Sequence, residues 1–354
     1  MPRSPWLSLQ SSAMAIDLRS DTFTRPTPAM RRAMADAEVG DDQWREDPTT
    51  KRLEAAVAAH FGREAALFVP SGHMGNQICL RLGAQPGSEC LAHEDNHIFW
   101  YENGAGSLLS GIQFHAMSGP RGLLEPAAVR ARVRTAYYGV PTSAIAVEQT
   151  HNRGGGAVWP LATLEELRGL ASERGLHLHC DGARIWNASI ASGVPLERYG
   201  VLFDSLSVCF SKGLAAPVGS AVVGDRDFVE RARDVRQLFG GSMRQSGVLA
   251  AAALVALDEM VERLADDHAN ARHLAERVAA AVPGGIEAPV ETNIVLLAAP
   301  AFGTDGPGLV KRLADRGVLS ADTAPDEVRL VFHYEVSDAD ADRAADAVIA
   351  AAGS

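Results

Sequence analysis

Lys212 is the side chain whose surroundings most suggest a nucleophile. It closes the run Val208-Cys209-Phe210-Ser211 and precedes Gly213 and a nearly uncharged stretch to Val223, poor company for a solvated ammonium. Burial favours the neutral amine of a lysine, and a neutral amine is what Schiff-base formation requires. The plainer alternative is a lysine at a loop tip. A second group, His179-Cys180-Asp181-Gly182-Ala183-Arg184, follows an apolar strand. Ligand sites in α/β sheets lie at the carboxyl ends of strands, so Asp181 and Arg184 are expected in the same crevice as Lys212, with a structural ion pair as the alternative. An amine for an imine and a carboxylate for a pyridinium nitrogen are together what pyridoxal 5'-phosphate (PLP) needs. Phe68-Val69-Pro70-Ser71-Gly72-His73-Met74-Gly75-Asn76 runs from a strand through small residues into a helix, whose N–H groups and dipole suit a phosphate. Such turns also occur without a ligand.

A different chemistry is spelled by His93-Glu94-Asp95-Asn96-His97, the His-Glu-x-x-His pattern of zinc hydrolases. Zinc needs both imidazoles on one helical face and a third ligand. Asp95 and Asn96 suit a helix interior badly, and Ala92 follows the apolar pair Cys90-Leu91, so a strand-to-helix turn is expected and no metal. The four cysteines lie in apolar surroundings without a Cys-x-x-Cys pair, which favours reduced core thiols.

These residues need elements to carry them. Short apolar runs alternate with amphipathic ones, the pattern of helices covering a mostly parallel sheet. Strands are expected at residues 65–69, 144–148, 176–181, 206–210 and 220–224, and helices at 127–134 and 164–174. An Ala-rich stretch from Ser246 to Ala281 reads as one or two helices stopped by Pro283-Gly284-Gly285. Beyond it come a strand at 292–297, a helix at 308–316, a strand at 328–334 and a helix at 338–351. The expected layout is a large α/β domain over residues 16–264, a small C-terminal αβ domain over 265–354, and a disordered extension over 1–15.

With 354 residues, 47% of them hydrophobic and a net charge of −11, the chain is long enough for two such domains and acidic enough to disfavour a nucleic-acid partner. No apolar run approaches the roughly 20 residues a bilayer crossing needs, and no secretory signal is recognisable, so a cytoplasmic protein is expected.

Several segments together resemble the low-specificity L-threonine aldolases, PLP enzymes of the aspartate-aminotransferase type (fold type I). They are Asp17-Leu18-Arg19-Ser20-Asp21-Thr22, Gly40-Asp41-Asp42 with Glu46-Asp47-Pro48-Thr49, Pro70-Ser71-Gly72, His97-Ile98-Phe99-Trp100-Tyr101-Glu102, Thr150-His151-Asn152-Arg153-Gly154-Gly155, Asp181-Gly182-Ala183-Arg184, Ser211-Lys212-Gly213-Leu214, Met243-Arg244-Gln245 and Val328-Arg329-Leu330-Val331-Phe332-His333. Their order extends from about residue 16 to the end. The resemblance implies that Lys212 binds the cofactor as a Schiff base, Asp181 pairs with its ring nitrogen and His97 stacks on its face. It further implies that Ser71, Gly72 and His73 hold the phosphate, with Arg244 reaching it from a neighbouring subunit of a homotetramer. Arg184 would bond the cofactor's 3-oxygen and help Ser20 and Arg329 anchor the substrate carboxylate.

The implied activity is reversible cleavage of L-threonine, L-allo-threonine or a related β-hydroxy-α-amino acid to glycine and an aldehyde. His97 and His151 are the candidate bases, because imidazole titrates near neutral pH. A related PLP-dependent β-eliminating lyase, racemase or transaldolase would use the same lysine and aspartate. The sequence departs from the family's pattern at His73, where threonine is common, at Gln149, where asparagine is, and at Trp44-Arg45, where Tyr-Gly is. An indole beside a guanidinium would favour a bulkier β-substituent than methyl; packing at a subunit contact is the alternative.

Overall fold

A computed structural model describes residues 15–135 and 138–353. The expected extension over 1–15 therefore lies, but for Ala15, outside the described residues. The ordered chain opens on a short strand, β1 (Ile16–Asp17). The apolar runs then form one sheet from β2 (Ala65–Val69), β3 (Glu89–His93), β4 (Gln113–Met117), β5 (Thr142–Glu148), β6 (His177–Gly182), β7 (Ser205–Cys209) and β8 (Ser220–Gly224). Their spatial order is β2-β8-β7-β6-β5-β3-β4. From β4 to β7 every pairing is parallel, while β8 runs antiparallel to both neighbours. Central strands covered on both faces need side chains that tolerate burial throughout, which is why β6 and β7 are almost wholly buried.

The Ala-rich stretch is two helices, Gly247–Glu259 and Leu264–Ala281, and the second stops just before Gly284, which adopts φ +76°. Four further strands follow: β9 (Ile294–Ala298), β10 (Val318–Leu319), β11 (Ala321–Ala324) and β12 (Glu327–Val331). β11, β12 and β9 make an antiparallel sheet, and the helix Asp338–Ala351, started by a capping box of Ser337 and Asp340, packs with the Leu264–Ala281 helix. β12 ends at Val331 instead of continuing to Tyr334: Phe332 N–H still reaches Asn293 O in register, but the Asn293 side-chain amide donates to Phe332 O at 2.9 Å and His333 Nε2 meets Asp17 O.

A separate apolar core holds Leu274, Val278, Leu297, Leu313, Leu330 and Val348, and it includes Ile16 and Leu18 from the other end of the chain. β1 pairs with β10 in parallel, and Leu18 O accepts the Val331 amide at 2.8 Å. This docking sets residues 19–22 beside Arg329 of β12. All four cysteines are buried and unpaired. No helix among the described residues is long and apolar enough to cross a membrane.

Candidate active site

The carboxyl ends of β5 and β6 and the loop after β7 open on a cavity of about 350 Å³, within the usual range for a small-molecule site. Six of the residues singled out in the sequence line it: Ser20, His97, Asp181, Arg184, Lys212 and Arg329. Lys212 is half-buried. Its carbonyl accepts the Thr24 hydroxyl at 3.0 Å and the Ala215 amide at 2.8 Å, so the backbone of its loop is tied to the N-terminal arm.

Asp181 sits at the end of β6, 4% exposed, in register with Glu148 of β5. Its Oδ1 accepts the Ala183 amide at 3.1 Å and its Oδ2 accepts Asn76 Nδ2 at 2.8 Å. Asn76 Oδ1 lies 3.2 Å from Nε2 of His179, whose pKa is lowered to about 4 by burial and then by the neighbouring His177. A neutral His179 carries one proton, and donating it from Nε2 to Asn76 leaves both amide hydrogens of Asn76 for carboxylates. Glu148 also lines the cavity, with Oε2 accepting the His97 amide at 2.6 Å and Oε1 the Asn152 amide at 2.8 Å. Burial, followed by the field of Asp181, pushes the Glu148 carboxyl up to about 7.

Two guanidinium groups converge on the other wall. Arg184 grips the fully buried Asp21 through both arms, Nε to Oδ2 at 2.8 Å and Nη2 to Oδ1 at 2.7 Å. Arg329 Nη1 donates to Asn152 Oδ1 at 2.7 Å, the oxygen that also receives Arg184 Nη1 at 3.3 Å. Arg329 Nε is buried and makes no hydrogen bond, which suits a cation facing a ligand anion. Burial, then the nearby Arg184, lowers the Arg329 pKa.

The remaining predicted residues lie off this cavity. His151 is fully buried, with Nε2 at 3.1 Å from Asn96 Oδ1 and Nδ1 accepting the Gly154 amide at 2.9 Å; burial first, then His93, lowers its pKa to about 3. Ser71 caps the helix Gly72–Gly83 by accepting the Met74 amide at 3.2 Å. A Cβ on Gly72 would meet Cys209 Sγ at 2.6 Å, so only glycine fits there. His73 is partly exposed at the same helix start, 3.8 Å from Glu102. Arg244 is exposed and paired with Asp41 at 3.2 Å. Trp44 is 75% exposed and Arg45 is bound to Glu230 at 2.6 Å, so neither reaches the cavity of its own protomer.

The zinc-like pattern takes the strand-to-helix form. His93 ends β3 and His97 opens the short helix His97–Trp100. His93 Nε2 meets Gly119 O at 3.0 Å and its Nδ1 accepts the Asp95 amide, so the two imidazoles share no helical face. Asp21, Asn76, Glu102, Glu148 and Asn152 were not singled out from sequence. All five stand within or beside the segments that were, and that proximity was their only signal.

A lysine and a buried aspartate at the carboxyl edge of a seven-stranded, mostly parallel sheet, with a glycine-permitted helix start nearby, define a PLP-dependent enzyme of fold type I. The residues fit that cofactor: Lys212 to bind it, Asp181 for its ring nitrogen, and the helix start at Ser71–His73 for its phosphate. The model of the family described as beta-eliminating lyase matches residues 17–301. The chain is 45% identical to the probable low-specificity L-threonine aldolase 2 of Arabidopsis thaliana, over 92% of this chain and 94% of the relative. It is 38% identical to the low specificity L-threonine aldolase of Escherichia coli K12, over 91% and 95%. The solved structure of Leishmania major threonine aldolase shares the fold, with a TM-score of 0.81, 18% identity and coverage of 94% and 98%. The chain belongs to the beta-eliminating lyase family, among its low-specificity L-threonine aldolases, and is a PLP-dependent lyase.

Proposed function

We propose that this protein cleaves L-threonine, L-allo-threonine and related β-hydroxy-α-amino acids to glycine and an aldehyde, reversibly. The observation that carries this reading is one cavity in which Lys212 and Asp181 face Arg329, whose Nε is unsatisfied, in a chain whose relatives are named for that activity. Bound PLP supplies a sink for the electron pair released when the Cα–Cβ bond breaks. Asp181 keeps the sink effective by holding a positive charge opposite its own. Arg329, aided by Ser20, binds the substrate carboxylate and so sets which bond at Cα is aligned for cleavage. Arg184, with Nε and one Nη2 hydrogen on Asp21 and Nη1 also reaching Asn152, has only its remaining Nη hydrogens for a cofactor oxygen.

His97 is the imidazole we assign to proton transfer. It lines the cavity, while both nitrogens of His151 are engaged elsewhere. The phosphate falls to Ser71, Gly72 and His73, with Arg244 contributed by a neighbouring copy in a homotetramer; the exposed Trp44 and Arg45 share a loop with Asp41, the partner of Arg244. A cytoplasmic location and a boundary between large and small domains near residue 265 complete the proposal.

The test is incubation of purified holoenzyme with threonine, allo-threonine and phenylserine, assaying glycine and aldehyde together. Equal amounts of both support the reading; racemised substrate, or ammonia with a keto acid, overturns it. Two substitutions sharpen the assignment. Arg329→Lys should raise KM roughly 10- to 100-fold with a smaller effect on kcat, because an ammonium cannot reproduce a planar bidentate grip; unchanged kinetics put the carboxylate elsewhere. Asp181→Asn should retain cofactor but lower kcat about 100-fold or more, since a neutral amide does not stabilise a pyridinium charge.

A further inference from the structure

Glu102 has no part in the reading above, yet side chains of the site converge on it. It is fully buried. Its Oε1 accepts His97 Nδ1 at 2.9 Å and Asn76 Nδ2 at 2.9 Å, and its Oε2 accepts Gln77 Nε2 at 2.5 Å and lies 3.8 Å from His73 Nε2. Asn76 Nδ2 is shared: the same amide nitrogen donates to Asp181. An unbroken chain of side chains therefore joins the carboxylate expected at the cofactor's ring nitrogen to the imidazole expected at its face.

The donors in that chain have one consistent direction. Asn76 Nδ2 donates to both Asp181 and Glu102, so Asn76 Oδ1 is left to accept from Nε2 of His179, whose Nδ1 can then accept from the Ser205 hydroxyl at 3.0 Å. His97 must then also be a donor at Nδ1, because a carboxylate this deeply buried is tolerated only when donors or a cation surround it. His97, Glu102 and Asp181 offer atoms within 4.8 Å of one another, but the Asn76 amide bridges the two acids with hydrogens, where a metal would need a lone pair. With Nδ1 held, the ring cannot flip, and Nε2 is the nitrogen left for the cavity.

We propose that Glu102 is a positioning residue of this active site: it fixes His97 in one orientation with Nδ1 protonated, and through Asn76 it locks that ring to the Asp181 carboxylate. With that proton held on Nδ1, Nε2 of the neutral ring meets the reacting groups as a proton acceptor; the proton it takes from the β-hydroxyl leaves an imidazolium steadied by Glu102, which returns that proton to complete glycine. This rests on the aldolase reading above. The groups facing His97 act in both directions. Glu102 and Asp181 favour its proton, Lys212 opposes it, the Tyr101 ring lies 5.4 Å away, and Glu148 holds only its backbone amide. Burial works against the charged ring, but the Glu102 hydrogen bond and the two acidic fields outweigh it, and the His97 pKa is raised.

The test is nuclear magnetic resonance of the holoenzyme labelled in histidine, with the His97 signal assigned by its loss in H97N. In the wild type, a proton on Nδ1 protected from solvent exchange is expected; an Nδ1 without a proton at neutral pH overturns the proposal whether or not any variant folds. In E102Q the His97 titration should fall by about one pH unit or more and kcat by about 10-fold or more, with KM for threonine within about threefold. E102D, which keeps the charge, should restore part of both. A kcat loss with the His97 titration unmoved would make Glu102 merely structural and overturn the proposal. A wild-type holoenzyme that releases no glycine overturns the aldolase reading instead, and leaves the His97–Glu102 signal to be judged separately.

Discussion

Lys212→Ala is expected to lose turnover by roughly 10⁴-fold or more, together with the visible absorbance that borohydride bleaches in the wild type. Among the residues lining the cavity, Lys212 carries the amine; the other cations there, Arg184 and Arg329, are guanidinium groups that form no imine at neutral pH. Reduction of the wild-type holoenzyme followed by peptide mass mapping should put the cofactor mass on the peptide containing Lys212. The backbone contacts of Lys212 to Thr24 and Ala215 use its carbonyl and survive the substitution, so the variant should stay folded. Turnover near the wild-type level, or label on another lysine, would remove Lys212 from the chemistry.

The two groups most legible in the sequence, Asp181 and Lys212, were so because each terminates an apolar strand run, and strand ends are where a parallel sheet exposes function. The strands 65–69 and 220–224 were read with their observed limits for the same reason: they are uncharged runs between turns. β4 was not, because Gln113, Phe114, His115, Ala116 and Met117 form an edge strand with no fully buried residue and hence no apolar run. The helices Pro28–Ala35 and Pro48–His60 carried a readable start, Thr27 or Asp47 before a proline, that periodicity alone passed over.

Side-chain wiring was less accessible. The Asn76–Asp181 bond joins residues 105 positions apart, and no local pattern encodes which amide will sit between two acids. His151 and Asn152 show the same limit at the smallest scale. They are adjacent in one recognisable motif, yet His151 turns into the protein and Asn152 faces the cavity, where its side-chain oxygen holds two arginines.

Asp21→Asn should produce the largest loss of stability among single changes at the site, about 3 kcal/mol or more in denaturant unfolding at pH 7. Asp21 and Arg184 are both buried, and the bidentate bond between them is the main compensation for the Arg184 charge. Removing the carboxylate leaves that buried guanidinium facing Arg329 without its bidentate partner, and the more distant Glu148 carboxyl does not replace those hydrogen bonds. The pair also has a pH signature. Burial alone would raise the Asp21 carboxyl, but the field and hydrogen bonds of Arg184, helped by Lys212 and Arg329, hold it down at about 2. A folded-state value below the unfolded one, about 3.9, means the stabilisation is fully present above pH 4 and is lost as pH falls towards 2. The wild type should therefore give up on the order of 2 kcal/mol across that window that Asp21→Asn does not, and the gap between the two proteins should narrow as acid is added. A gap that stays constant from pH 7 to pH 2 would show that the charge on Asp21 is not what holds the N-terminal arm against the arginine wall.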